Sequence, residues 1–215
     1  MRTVNWIDHL FNVAAVIIGV SLAFWVSDSA EKRKSTKELN FARDSFIEEL
    51  ISDSLTYVSY QIPDNTKQVE VISQVIGMLN GAPKDSLEYK FERAIGLNSY
   101  HPISNTFNSL TSSGKLDLFE DLELKQKLSA YYTIYSLEAE WRGKFQVEFY
   151  STQLLPWLTE NIDFLNPDFD SINKVQLTNL LMIYAGLIEN KIRQYEVLAG
   201  QADSLCEELK TSQDE

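Results

Sequence analysis

The chain has 215 residues, of which 44% are hydrophobic and 12% aromatic. This composition can supply the core of one folded domain and excludes a fully disordered chain. The net charge of −12 disfavours nucleic-acid binding, because an acidic surface repels phosphate groups. The single cysteine, Cys206, excludes an internal disulfide and a thiolate metal cluster. Glycine and proline are sparse, which favours an all-α fold.

An apolar run near the N-terminus dominates the first part of the chain. Residues 10–26 read LFNVAAVIIGVSLAFWV and contain no charge. As a helix this run spans about 26 Å, close to the hydrocarbon core of about 30 Å. Trp6 and Trp25 would then lie near the two membrane interfaces. We predict a single transmembrane helix over 10–27; a cleaved signal peptide and a buried core helix are the alternatives.

The basic residues around this run predict its orientation. They follow the run as a collar and are nearly absent before it, which is the reverse of a signal peptide. The collar consists of Lys32, Arg33, Lys34 and Lys37, whereas only Arg2 precedes the run. The positive-inside rule therefore predicts an extracytoplasmic tail over 1–9 and a cytoplasmic C-terminal domain, with the protein in the inner membrane.

One face of the predicted anchor carries small and polar residues. Small residues at a spacing of four let helices approach closely in lipid, so this ridge predicts self-association. The ridge is formed by Ala15, Gly19 and Ala23. Polar residues extend the same face and either are hydrated at the interfaces or line a wet axis between copies. They are Asp8, Asn12 and Ser27.

The anchor is expected to continue as a connecting helix over 28–60, with apolar residues such as Phe46 on one face. The stretch QIPDNTK, which contains Pro63, predicts the first turn. A helical soluble domain should follow over 61–211, and 212–215 form an acidic tail.

Two glycines and one loop stand out in the middle of the chain. Gly81 and Gly114 are expected to end helices in the left-handed conformation. The loop NSYHPISN holds Tyr100 and His101, which could bind a ligand or, more simply, belong to a surface loop that packs Tyr100.

Two long helices are predicted around 121–155 and 174–210. The first carries a second apolar stripe through Trp141 and Phe145, which suggests that it lies at the centre of a bundle, and Pro156 should kink or end it. The second resembles a coiled-coil seam with Cys206 as a small buried group. Its seam residues are Leu177, Leu181, Tyr184, Ile188, Ile192, Tyr195, Ala199, Ala202, Cys206 and Leu209.

No catalytic signature is present in the sequence. The chain lacks a glycine-rich phosphate loop, a nucleophile elbow, a C-x-x-C pair and an H-E-x-x-H helix. With only His9 and His101, a multi-histidine metal site within one chain is excluded. We assign no catalytic, cofactor-binding or metal-binding residue and expect no enzyme.

Two stretches are similar to a known family. VIIGVSLAFWVSDSAEKRK resembles the N-terminal anchor, and NTFNSLTSSGKLDLFEDLELKQKLSAYY resembles the central signature, of a family of uncharacterised bacterial single-pass membrane proteins. The resemblance implies a short anchor followed by a helical soluble domain. It implies no activity and no functional residues.

Together these observations predict a homo-oligomeric, membrane-anchored protein with long, partly coiled-coil-like helices. Its acidic helical domain would act as a scaffold or signalling module that binds another protein. The alternative is a small oligomeric ion channel, or a membrane-perturbing effector, with a pore lined by the N-terminal helices. A membrane-tethered enzyme is a third and weaker hypothesis. The expected partners are the lipid bilayer, other copies of the chain and another protein.

Overall fold

The computed structural model describes residues 6–82 and 87–212, with side chains from Asn12 onward. Every regular element in these ranges is helical, which confirms the all-α prediction. The side chains of Trp6 and Asp8, most of the predicted tail over 1–9 and the last residues of the acidic tail lie outside this description.

The first and third long helices contain more than half of the described residues. The first long helix joins α1 (Trp6–Thr56) to α2 (Ile62–Leu79) through a π-turn over Tyr57–Gln61. The third long helix is α8 (Lys174–Thr211), which begins at the N-cap Asn173. The helix predicted around 174–210 is therefore confirmed.

The second long helix lies between them in sequence. It joins three α-helical segments through two π-turns: α5 (Leu122–Ala130), Tyr131–Tyr135, α6 (Ser136–Phe149), Tyr150–Leu154 and α7 (Leu155–Asn161). A crossover segment connects the first long helix to the second and contains α3 (Leu87–Ala94), α4 (Asn105–Ser112) and a 3₁₀ turn (Leu116–Leu118). Gly81 and Gly114 have φ angles of 113° and 66°, as expected for helix ends in the left-handed conformation.

Contacts between side chains fix the direction of the three long helices. Tyr57 packs on Tyr195, and Asn80 donates a hydrogen bond to Thr178, so the first helix runs antiparallel to α8. The second helix also runs antiparallel to α8, because Lys127 pairs with Glu208 near one end and Gln146 bonds Lys191 further along. The first and second helices are therefore parallel, as the long crossover between them requires.

The prediction of a turn at Pro63 was wrong. The helix continues through this region because a π-turn precedes the proline, and the Ile62 N–H donates to the Tyr57 carbonyl. Pro63 then lies in the first turn of α2, where its missing N–H costs little. Pro156 occupies the same position after the π-turn over Tyr150–Leu154, so the second helix likewise continues past it.

The central helix of the bundle is α8, not the second long helix. The α8 seam is buried as predicted at nine of its ten positions, and Leu177, Tyr184 and Leu209 are fully inaccessible. The exception is Ile192, which is half-buried because Lys191 occupies the inward position there. In contrast, Trp141 and Phe145 are 54% and 50% exposed, so the expectation that their stripe lies in the core was wrong. Apolar periodicity shows that a face can be buried but does not show that another helix covers it.

The first long helix has an exposed apolar part and, further along, a part that is buried in the bundle. Among the described residues, one helix has the length and composition needed to cross a membrane, and its apolar segment is not buried. Further along the same helix, Ala42, Phe46, Leu50 and Tyr57 belong to the bundle core. The second half of the helix expected to connect anchor and domain is thus a structural element of the bundle.

Candidate functional site

A layer of polar side chains divides the interior of the bundle into two apolar clusters. One cluster contains Phe46, Leu128 and Leu198, and the other contains Ile72 and Leu158. Each of the three long helices contributes polar side chains between them. These residues, which we call the polar layer, are Asn65, Gln68, Gln146, Lys191 and Gln194, and all are buried.

Lys191 is the charged member of the polar layer. Its side chain is completely buried, and its Nζ donates to Gln146 Oε1 at 2.6 Å and to the Asn98 carbonyl. Burial lowers the pKa of Lys191 to about 8, because removal from water disfavours the charged ammonium.

A lowered pKa is also a property of the lysine amines that act as nucleophiles and form Schiff bases. Here, however, a reacting carbonyl would first have to displace the loop that carries Asn98, because no part of the Lys191 side chain is exposed. The geometry therefore supports a role in holding this loop in place.

Other members of the polar layer bind the same loop. Gln146 Nε2 donates to the Tyr184 hydroxyl at 2.9 Å, and this hydroxyl donates to the Gly96 carbonyl at 2.7 Å. Gln68 Nε2 donates to the carbonyls of Gly96 and Ala94, at 2.6 and 3.0 Å. Buried backbone carbonyls need hydrogen-bond donors. The polar layer supplies these donors to the part of the crossover that enters the bundle.

Asp53 is the second buried charged group beside the crossover. Its Oδ1 accepts from the Tyr100 hydroxyl at 2.9 Å and from the Ile103 N–H at 3.0 Å, and its Oδ2 accepts from the Tyr131 hydroxyl at 3.0 Å. Burial raises the pKa of Asp53, although the three hydrogen bonds act in the opposite direction. One carboxylate thus joins the first helix, the second helix and the crossover.

Tyrosine rings surround this carboxylate. Tyr57 lies 5.2 Å from both Tyr100 and Tyr195, measured between ring centroids, and the Tyr195 hydroxyl accepts from the Tyr100 N–H at 3.1 Å. The Tyr57 hydroxyl is buried and has no hydrogen-bond partner among the described residues. Two π-turns begin at residues of this cluster, Tyr57 and Tyr131. Such turns are frequent at functional sites and places of altered register.

A surface groove of about 480 Å³ opens between the crossover and α6. Ala139, Gly143 and Tyr195 lie along it, and a Cβ atom built on Gly143 would meet no other atom within 4 Å. At the rim, Lys144 pairs with Glu140 at 2.6 Å and lowers the pKa of that carboxyl.

The candidate ligand residues Tyr100 and His101 both line this groove. His101 is exposed, whereas the Tyr100 hydroxyl is held by Asp53. Burial, together with that carboxylate, raises the pKa of Tyr100 to about 12. The two neighbours in sequence therefore face different surroundings.

The predicted anchor residues lie on the exposed part of α1. Ala15, Gly19 and Ala23 are exposed, and a Cβ atom added at Gly19 would meet nothing within 4 Å. Asn12 and Ser27 of the polar stripe are exposed as well, as is Trp25 at the predicted interface. In the basic collar, which is also exposed, Lys32 pairs with Asp28 at 2.9 Å. The ridge and the stripe are thus unobstructed by the bundle.

Sequence reasoning did not identify Asp53 or Lys191. A usable signal was present, because each lies on an apolar seam at helical spacing. Asp53 is three residues after Leu50 and four before Tyr57, and Lys191 is three after Ile188 and four before Tyr195. A charged residue in such a register is predicted to be buried with partners.

Two further findings bear on the chemistry of the chain. Among the described residues, no group of three or more histidine, cysteine, aspartate or glutamate side chains could hold a metal ion. In comparisons with models of known families, with curated proteins and with solved structures, the chain has no match. Its function is therefore inferred from its own geometry.

Proposed function

We propose that the protein is a homo-oligomeric, membrane-anchored helical module that acts as a scaffold or in signalling. Residues 10–27 cross the inner membrane once, and the acidic bundle lies in the cytoplasm. The observation that carries this proposal is the continuity of α1, which runs from the apolar segment to the core residue Phe46 without a break.

The continuity of this helix distinguishes a coupling device from a simple tether. A flexible linker would let the soluble domain move independently of its anchor. Here Phe46 follows Ser27 on the same helix, about 28 Å further along the axis. A rotation or displacement of the anchor would therefore reach the bundle core directly. A movement that begins in the bundle would reach the anchor in the same way.

The exposure of the apolar segment supports its placement in lipid. Val16, Phe24 and Trp25 are 64%, 71% and 69% exposed, and a continuous apolar surface of this kind is unfavourable in water. The basic collar that follows favours an anionic cytoplasmic leaflet.

An aromatic stripe on the second long helix supplies a surface for the protein partner. Leu137, Trp141 and Phe145 line a groove of about 290 Å³ together with Glu138 and Arg142. An exposed tryptophan beside leucine and phenylalanine, with an arginine in the same groove, is typical of protein–protein interfaces.

The channel alternative makes a different demand on the anchor. It needs about four or more parallel copies around a common axis, with Asp8, Asn12 and Ser27 facing that axis. A dimer encloses no pore, so the number of copies separates a scaffold from a channel.

Replacement of Gly19 by isoleucine should lower the oligomeric state of the full-length protein in detergent or nanodiscs. The larger side chain keeps the segment apolar but prevents close approach of two helices at the ridge. Native mass spectrometry measures the effect and also gives the copy number of the wild type.

Leu22→Ile is the matched control, because position 22 lies off the ridge and the change preserves volume. Equal masses for wild type, Gly19→Ile and Leu22→Ile, all above the monomer, would show that the ridge is not the contact. A monomeric wild type would contradict both the oligomeric module and the channel.

A further inference from the structure

The outer surface of the first long helix carries an unpartnered apolar face. Ile51, Leu55 and Val58 are 42%, 58% and 55% exposed. Every exposed residue from 51 to 60 is uncharged, and the charged residue in this stretch, Asp53, is buried on the opposite face. In a chain with a net charge of −12, an uncharged face of this length is a distinct feature.

This face is aligned with the small-residue ridge of the anchor. Leu55 follows Gly19 by 36 residues, which is about ten full turns of an α-helix. Ile51 stands in the same relation to Ala15. Because α1 is unbroken between these positions, the ridge and the apolar face point to the same side, about 54 Å apart along the axis.

We propose that this face packs against the same face of a second copy of the chain, with the two first helices parallel and in register. The proposal rests on the proposed membrane anchor. A shared membrane places two copies at equal height and in the same orientation, so that Leu55 of each copy meets its counterpart about a two-fold axis.

Charge favours a second copy as the occupant. Two identical acidic domains repel each other wherever their carboxylates meet, and the uncharged stretch is a place on the first helix where they approach without this repulsion. Between the two contact zones, Lys37, Asp44 and Glu48 fall on the same side of α1, and all three are exposed. Their charged ends remain hydrated beside the axis.

The size of the face explains why the anchor is needed. Three partly exposed aliphatic side chains cover far less than the roughly 800 Å² per partner of a standard interface. Tethering in one membrane raises the effective concentration of the second copy, so a small contact becomes sufficient. The resulting pair has two helices at its axis, which favours the scaffold over the channel.

Cysteine cross-linking of the full-length protein in nanodiscs tests this pairing. Leu55→Cys should form a disulfide-linked dimer on mild oxidation at least about tenfold faster than Leu122→Cys, because a disulfide needs Cα atoms within about 7 Å. Leu122 is a matched control: it is 64% exposed and lies on the second helix near Phe119, which contacts Phe46. The native Cys206 is buried, so the wild type should give no linked band.

A third variant, Gly19→Cys, separates failure of the inference from failure of the proposed function. Linking at Gly19 but not at Leu55 would overturn the pairing of the bundles and leave self-association of the anchors standing. Equal linking at Leu55 and Leu122 would show random collision and overturn the inference. Linking at neither Gly19 nor Leu55 would overturn both proposals.

Discussion

Replacement of Asp53 by alanine is expected to destabilise the bundle by about 3–5 kcal/mol, a large part of the 5–15 kcal/mol of a typical domain. The change removes the shared acceptor of the Tyr100 hydroxyl, the Tyr131 hydroxyl and the Ile103 N–H. Tyr131 is fully buried and cannot turn to water. The crossover would also lose one of its attachments to the first helix, whereas the hydrogen bonds from Gln68 to Ala94 and Gly96 would remain.

Chemical denaturation of the full-length protein in detergent, followed by circular dichroism, measures this loss. Asp53→Asn is the matched control, because its amide oxygen can still accept a hydrogen bond and no buried charge remains. We expect Asp53→Asn to cost less than about half as much as the alanine variant. A loss below about 1 kcal/mol for both variants would contradict the role given to this carboxylate.

The second large effect concerns Lys191 and pH. Its pKa is about 8 in the folded protein and 10.5 in the reference state. Between these values the unfolded chain holds a proton that the folded chain has released, so stability rises as pH increases from about 8 to about 10.5. The difference corresponds to about 3 kcal/mol at 1.36 kcal/mol per pKa unit.

Lys191→Met removes the titrating group and keeps a side chain of similar length. The free energy of unfolding, measured across this pH range for both proteins, should show the rise in the wild type relative to the variant. Other titrating groups, including the buried tyrosines, are present in both proteins and cancel in the comparison. Identical pH profiles would contradict the burial of a charged amine at position 191.

The sequence predicted those features that depend on short-range spacing. The α8 seam from Leu177 to Leu209 follows from helical periodicity. Gly114 follows from the need for a left-handed residue after α4. The start of the second helix around residue 121 was predicted as well, and the structure adds that Asp121 is its N-cap, accepting from the N–H groups of Glu123 and Leu124.

Features that depend on distant residues were not predictable in this way. Pro63 gives the same local signal in a turn and after a π-turn, and the structure distinguishes them by the hydrogen bond from the Ile62 N–H to the Tyr57 carbonyl. The exposure of Trp141 depends on whether another helix covers it. The partners of Asp53 are 47 to 78 residues away in sequence, so periodicity can indicate its burial but cannot identify what it binds.

We propose that the helix that forms part of the bundle core also crosses the membrane and leaves the bundle in the cytoplasm. Paired reporters fused to the C-terminus test this topology: green fluorescent protein, which fluoresces in the cytoplasm, and alkaline phosphatase, which is active only outside it. We predict fluorescence that remains with carbonate-washed membranes and an inactive phosphatase. An active phosphatase at the C-terminus, or fluorescence in the soluble fraction, would contradict this topology.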